Sequence, residues 1–322
     1  SYTFIAVLPA GVKTGQFQLA LFRSAQGASA GGNGVSSPAN SATEKTLPIL
    51  VADLNGARVY APGTFGEAVE YRVGDPVLLP LKQKVDVSVM EFRSYENEDN
   101  GYKTAVAKLK LTNRDDVALP IPDLLLDLVD GDGRVYSGAR QTNVAQQLAA
   151  NGSYIVTYSF LMPSAPADRP VMLRFYEGKE ALEAKMPSGA VKVAFQQDDE
   201  KDDVWNVYPY RIEVREGDLL VGQLSTTFSY TLKLNVNIER KDQVIADPDV
   251  SKLKFELTDG AGQVIAEQTL PLIGTTKLVN GESSLLFPNL KINQFSSTNY
   301  VNVFEIVSTP NGVVKRKLGE ID

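Results

Sequence analysis

The chain has 322 residues, a formal net charge of −7, 43% hydrophobic residues and 22% charged residues. This composition sustains a packed core, and the acidic balance argues against nucleic acid, whose binders carry a basic face. Cysteine and histidine are both absent, which excludes disulfides, thiolate chemistry and histidine-based triads and removes the commonest metal ligand.

No apolar run is long enough to span a membrane as a helix. The length predicts two to three domains at roughly 100 to 200 residues each. With neither histidine nor cysteine to supply a base or a nucleophile, the chain reads as a protein that is not an enzyme.

The chain opens on Ser1, read as a processed or truncated start. Residues 1–23 resemble residues 153–175, with Ser1–Tyr2 matching Ser153–Tyr154 and Leu21 matching Leu173. On that match the chain begins with the last strands of an incomplete unit. A lone two-stranded hairpin is marginal in water, so these strands are expected to pair with a segment outside the sequence or with another chain. Residues 24–46 are rich in Gly, Ala, Ser and Asn, too little apolar surface to offset ordering, and are predicted to be a flexible linker.

Strands are predicted at 47–52 and 69–73. Residues 84–89 alternate apolar and polar, after which Met90, Glu91 and Phe92 reverse the phase, and a slip of that kind predicts a β-bulge. An acidic loop is expected at 94–102; its length is the sole argument for a protease-inhibiting loop at 93–103. The next strand, 105–111, puts Ala105, Ala107, Leu109 and Leu111 on one face and Lys108 and Lys110 on the other. Residues 112–116 form a turn.

The stretch that follows occurs twice. Leu128, Asp130, Gly131, Gly133, Val135, Asn151 and Gly152 recur as Leu257, Asp259, Gly260, Gly262, Val264, Asn280 and Gly281, at a constant offset of 129 positions. This is an internal repeat. In each copy an alternating strand stops at Asp-Gly-x-Gly, where glycine reaches positive φ and aspartate bonds the backbone ahead of it, predicting a tight hairpin. Asn-Gly marks a second expected hairpin, ahead of the strands near 153–160 and 283–287.

Residues 179–185 are the one helical candidate, a turn or two long. The second copy begins after the acidic run 198–203, and Gly217–Asp218 echoes Gly74–Asp75. Residues 228–238 alternate without a break, and strands follow at 300–307 and, past Pro310-Asn311-Gly312, at 313–318. The expected organisation is all-β: tandem immunoglobulin-like antiparallel β-sandwiches at 47–197 and 198–322, preceded by the incomplete unit and linker at 1–46.

Leu109-Lys110-Leu111-Thr112-Asn113 followed by Asp130-Gly131-Asp132-Gly133-Arg134-Val135-Tyr136 resembles the immunoglobulin-like repeats of Gram-positive cell-surface proteins, over about 250 residues. The composition also resembles bacterial surface-layer proteins. The resemblance implies an extracellular, non-enzymatic structural protein at the cell surface or cell wall, part of a self-assembling surface layer, appendage or wall-attached stalk. The expected partner is a homo-oligomer or lattice of the same chain, with cell-wall polysaccharide as a further possible one. The alternative is an adhesin or a carbohydrate-binding accessory module.

Few residues nominate themselves for chemistry. Asp130 and Asp132 sit in a tight turn that suits calcium, although the distal glutamate of an EF-hand loop is missing and Asp132 becomes Ala261 in the second copy. Asp198, Asp199, Asp202 and Asp203 form a carboxylate run at the expected domain junction, where calcium would stiffen the array; the plainer reading is a solvated linker. Trp205, Tyr208 and Tyr210 group the only tryptophan with two tyrosines. Exposed, they would stack on sugar rings; in a strand entering a sandwich they would fill the core.

Overall fold

The computed structural model describes residues 18–24, 46–53, 68–79, 81–97, 102–162, 169–183, 187–197, 203–224, 227–247, 251–291 and 298–322. The chain forms two units, Ser1–Ala61 and Pro62–Asp322. In the first, β1 (Gln18–Ser24) pairs antiparallel with β2 (Thr46–Asp53). The remainder of the predicted opening hairpin and of the linker lies outside the described residues.

The second unit is almost entirely β. Its first repeat holds β3 (Val69–Glu70), β4 (Pro76–Val77), β5 (Val85–Asn97), β6 (Lys103–Asn113), β7 (Leu119–Pro120), β8 (Leu124–Val129), β9 (Val135–Ser137), β10 (Ala139–Arg140), β11 (Gln147–Leu148), β12 (Ser153–Met162), β13 (Val171–Glu177), the short helix α1 (Lys179–Glu183) and β14 (Gly189–Val193). Its second repeat holds β15 (Val204–Val207), β16 (Tyr210–Leu224), β17 (Thr227–Arg240), β18 (Lys252–Asp259), β19 (Val264–Pro271), β20 (Gly281–Lys291), β21 (Asn299–Thr309) and β22 (Gly312–Ile321).

The two repeats share a strand order. Sheet order β14-β13-β8-β9 in the first copy matches β22-β21-β18-β19 in the second, and β12-β6-β5 matches β20-β17-β16. In each copy the two sheets enclose one core. The first core runs from Val87, Val89, Phe92 and Leu109 to Leu126, Leu173 and Phe175; the second runs from Trp205, Leu232 and Phe287 to Phe255, Val301 and Val303. Alternation of apolar residues along the strands produces this directly, because successive side chains point to opposite faces.

The Asp-Gly-x-Gly turns are the same object twice. Asp130 Oδ1 accepts the backbone N–H of Asp132 and of Arg134, both at 2.9 Å. Asp259 Oδ1 accepts those of Ala261 at 2.9 Å and Gln263 at 2.8 Å. The final glycines, Gly133 and Gly262, take φ values of 81° and 82°, a region closed to most side chains. The predicted bulge is also present: the register between β5 and β6 shifts between Val89 and Glu91, and the equivalent shift in the second copy lies between Val214 and Glu216.

Three expectations are corrected. Asn-Gly does not close a hairpin between neighbouring strands: β11 pairs with β7 whereas β12 pairs with β6, and β20 pairs with β17 rather than β19. The strands on either side of it belong to different sheets. The acidic loop starts later than expected, since β5 continues to Asn97, with Tyr95 and Asn97 buried. Gly217–Asp218 is not the counterpart of Gly74–Asp75: Gly74 occupies a turn with φ 100°, while Gly217 lies inside β16.

The two sandwiches are joined through one sheet. Val314 and Lys315 of β22 pair antiparallel with Asn97 and Glu96 of β5, so that β10-β12-β6-β5 continues into β22-β21-β18-β19. The tip of the β21–β22 hairpin reaches beyond its own core, and Val307 and Val314 pack on Tyr95 and Val106 of the first sandwich. The loop after β17 adds a second contact, with backbone bonds between Ile155 and Ile245 and between Ile245 and Ser153.

Candidate functional site

The most unusual chemistry lies in this joint. The bulge at Met90 turns Phe92 inward to the first core and leaves Glu91, Arg93 and Tyr95 on the opposite face, where a second layer covers them. Lys108 stands directly across from Glu91 in the β5–β6 ladder. Its Nζ is 2.8 Å from Glu91 Oε1 and 2.7 Å from Glu305 Oε1, and its side chain is wholly buried.

The other sandwich completes the cluster. Arg316 donates to Glu305 Oε2 at 2.7 Å and to the Asn206 carbonyl at 2.8 Å. Ser251 Oγ donates to Glu305 Oε1 at 2.6 Å, and Tyr95 OH donates to Glu305 Oε2 at 2.9 Å. The Tyr208 N–H donates to Glu91 Oε2 at 3.0 Å. Two carboxylates therefore face one ammonium and one guanidinium, and the charges balance inside the protein. Isolated buried charges would be very costly, and this mutual pairing, with the hydrogen bonds that accompany it, is what makes them tolerable.

A second polar contact flanks the first. Asp242 Oδ2 accepts from Lys110 Nζ at 2.6 Å and from Tyr208 OH at 2.8 Å. Burial pushes the Tyr208 hydroxyl far above its ordinary pKa, and the Asp242 carboxylate adds to the effect. Burial acts to raise the Asp242 carboxyl too, but the bonds from Lys110 and Tyr208 outweigh it and hold it below the usual range. Beside these contacts, residues of both sandwiches, among them Gln141, Thr157, Asp247 and Thr309, line a cleft of about 230 Å³.

The residues nominated from sequence lie elsewhere. Asp130 serves its turn: beyond the two N–H bonds to Oδ1, its Oδ2 accepts from Tyr136 OH at 3.0 Å. Asp132 is exposed, with Arg134 3.9 Å away. Asp203 is exposed in a turn, and Asp198, Asp199 and Asp202 lie outside the described residues. Among the described residues no three His, Cys, Asp or Glu side chains gather in a way that would hold a metal ion.

Trp205 takes the core position rather than the sugar-stacking one. It is 1% exposed and meets Phe255 edge-on at 6.5 Å. Tyr210 packs against the same core, and Tyr208 belongs to the joint. Of the three aromatics, then, only Tyr208 reaches the charge cluster.

Strand alternation alone does not reveal this cluster: Lys108 lies on the face that the β6 pattern assigns it, yet that face is covered by the second sandwich and not by water. A signal did exist in the sequence: Glu305 falls in phase with Val301, Val303 and Val307, and Arg316 in phase with Val314 and Leu318. A charge in the apolar phase of a strand announces a buried partner.

The chain matches no protein-family model, and no curated protein is detectably similar to it. Among the described residues no helix is long and apolar enough to cross a membrane.

Proposed function

We propose that this chain is a non-enzymatic extracellular structural protein, a segment of a self-assembling surface layer, appendage or wall-attached stalk whose two sandwiches act as one force-transmitting spacer. The observation that carries the reading is the joint. A spacer must keep its modules from pivoting, and a continuous ladder from β5 to β22 combined with a buried, charge-neutral cluster opposes both sliding and rotation. The cluster is closed to solvent, which suits a fastening and not a group that meets a substrate.

Light scattering at several protein concentrations, with and without calcium, tests the assembly part of this reading. Growth into ordered oligomers is the expected result; a monomer under every condition overturns self-assembly. Single-molecule extension tests the spacer part: the two sandwiches should resist force as one cooperative unit, and two independent unfolding steps at unequal forces would refute it.

A further inference from the structure

We propose that the cleft between the two sandwiches binds one neutral sugar residue of a glycan. The first sandwich contributes Gln141 and Thr142, which follow β10, and Thr157 of β12; the second contributes Asp247, Val307 and the β21–β22 turn. At about 230 Å³ the cleft falls below the ~300–1,000 Å³ of sites that take drug-sized ligands. A single ring suits it.

The wall from the first sandwich is held in place. The Gln141 N–H donates to the Thr157 carbonyl at 2.9 Å, and the Thr157 N–H donates to Gln141 Oε1 at 2.8 Å. Gln141 Nε2 gives one hydrogen to the Asn143 carbonyl at 2.8 Å and has a second to give. Thr157 is 4% exposed, and its Oγ1 has no partner among the described residues, although buried hydroxyls ordinarily have one. Thr142 and Ser308 also line the cleft, are exposed, and make no side-chain bond to the described residues.

This chemistry selects the ligand by exclusion. Asp247 is the one charged side chain among the described residues of the wall, so a phosphate or carboxylate is repelled. A hard divalent cation needs several oxygen ligands, carboxylates above all, and no three acidic side chains gather among the described residues. An ammonium group only donates and offers nothing to the Gln141 amide. An apolar group would strip water from amides and hydroxyls without replacing its bonds. A sugar hydroxyl both donates and accepts, which answers a wall of mixed donors and acceptors, and Val307 and Pro310 supply carbon surface for the C–H face of the ring.

A ligand seated here touches both sandwiches, so it binds the docked form and not a separated one. Binding is thereby linked to the joint, and a saturating sugar should raise the unfolding midpoint. The site is independent of self-assembly and stands beside the scaffold reading.

The test titrates the full chain by calorimetry with glucose, galactose, mannose and N-acetylglucosamine, with glucuronic acid and glucosamine as charged controls. At least one neutral sugar should bind saturably, with Kd on the order of 1 mM, and neither control should bind more tightly. Ser308→Trp, which fills the cleft from an exposed position, should weaken binding about tenfold or more while leaving the midpoint without sugar unchanged. On the unmutated chain, backbone amide shifts in NMR should move at 141–143 and 307–309, a readout independent of how the variant folds. No saturable binding by any neutral sugar, tighter binding of a charged control, or shifts confined elsewhere overturns the proposal. Oligomers without sugar binding keep the scaffold reading and remove the site; a monomer that binds sugar here does the reverse.

Discussion

Lys108 Nζ lies 2.7 Å from Glu305 Oε1, with both side chains wholly buried and 197 residues apart in sequence. One residue belongs to each sandwich, so this contact exists only when both are folded and docked. The stability of either sandwich is thereby tied to that of its neighbour.

Lys108→Met should destabilise the protein by about 3–5 kcal/mol, because it leaves two buried carboxylates facing each other with less compensation. Adding Glu91→Gln should restore a large part of that loss. Urea denaturation of the two single variants and the double variant measures the coupling. Additive losses would mean that the pair does not act as a unit.

The cluster also sets a pH window. Burial alone raises the Glu305 carboxyl, but Lys108 and Arg316 outweigh burial and hold it far below its ordinary value of 4.5. A depressed folded value means that its contribution is complete above about pH 4.5 and is lost as pH falls from there towards the folded value. Burial, then Glu305 and Glu91, push the Tyr95 hydroxyl well above its ordinary 10.0; that contribution is complete below pH 10 and is lost as pH rises beyond it. Denaturation midpoints across pH should fall on both sides, and Glu305→Gln should flatten the acid side while lowering stability at neutral pH.

The paired turns offer an internal control. Asp130→Ala and Asp259→Ala each remove two bonds to backbone N–H groups and should cost about 1–2 kcal/mol. Asp130 also accepts from Tyr136, so its replacement should cost more. Thermal midpoints of the two variants decide it, and an equal loss would show that the tyrosine bond contributes nothing.

Glycines differ by what surrounds them. A Cβ at Gly138 would lie 2.7 Å from Phe160 Cε1 and 2.8 Å from the Leu126 carbonyl oxygen, whereas one at Gly131 meets nothing within 4 Å. Gly138→Ala should therefore cost about 1–3 kcal/mol by overpacking, and Gly131→Ala should stay within about 0.5 kcal/mol of the parent. The same denaturation experiment ranks them.

Much of the fold was legible locally. The alternation of 228–238 became β17, the phase slip at Met90 became a bulge, Pro310-Asn311-Gly312 became the β21–β22 turn, and the Asp-Gly-x-Gly hairpins formed twice. Each depends on neighbours within a few residues, where φ preferences and the two-residue period of a strand act directly. Asn-Gly misled because a favoured local backbone conformation does not specify which sheet receives the next strand.

The candidate site was not legible in that way. Residue spacing within β6 put Lys108 opposite Ala107 and Leu109, and from the strand alone a lysine on that face belongs to water. What buries it is a hairpin tip nearly 200 residues later, which brings Glu305 and Arg316 as counter-charges. Sequence by itself determined the strands, the turns and the repeat, because these follow from steric and hydrogen-bonding rules between near neighbours. The tertiary structure alone decided which polar face would be covered, because the cost of desolvating a charge is offset only by partners that folding brings from far along the chain.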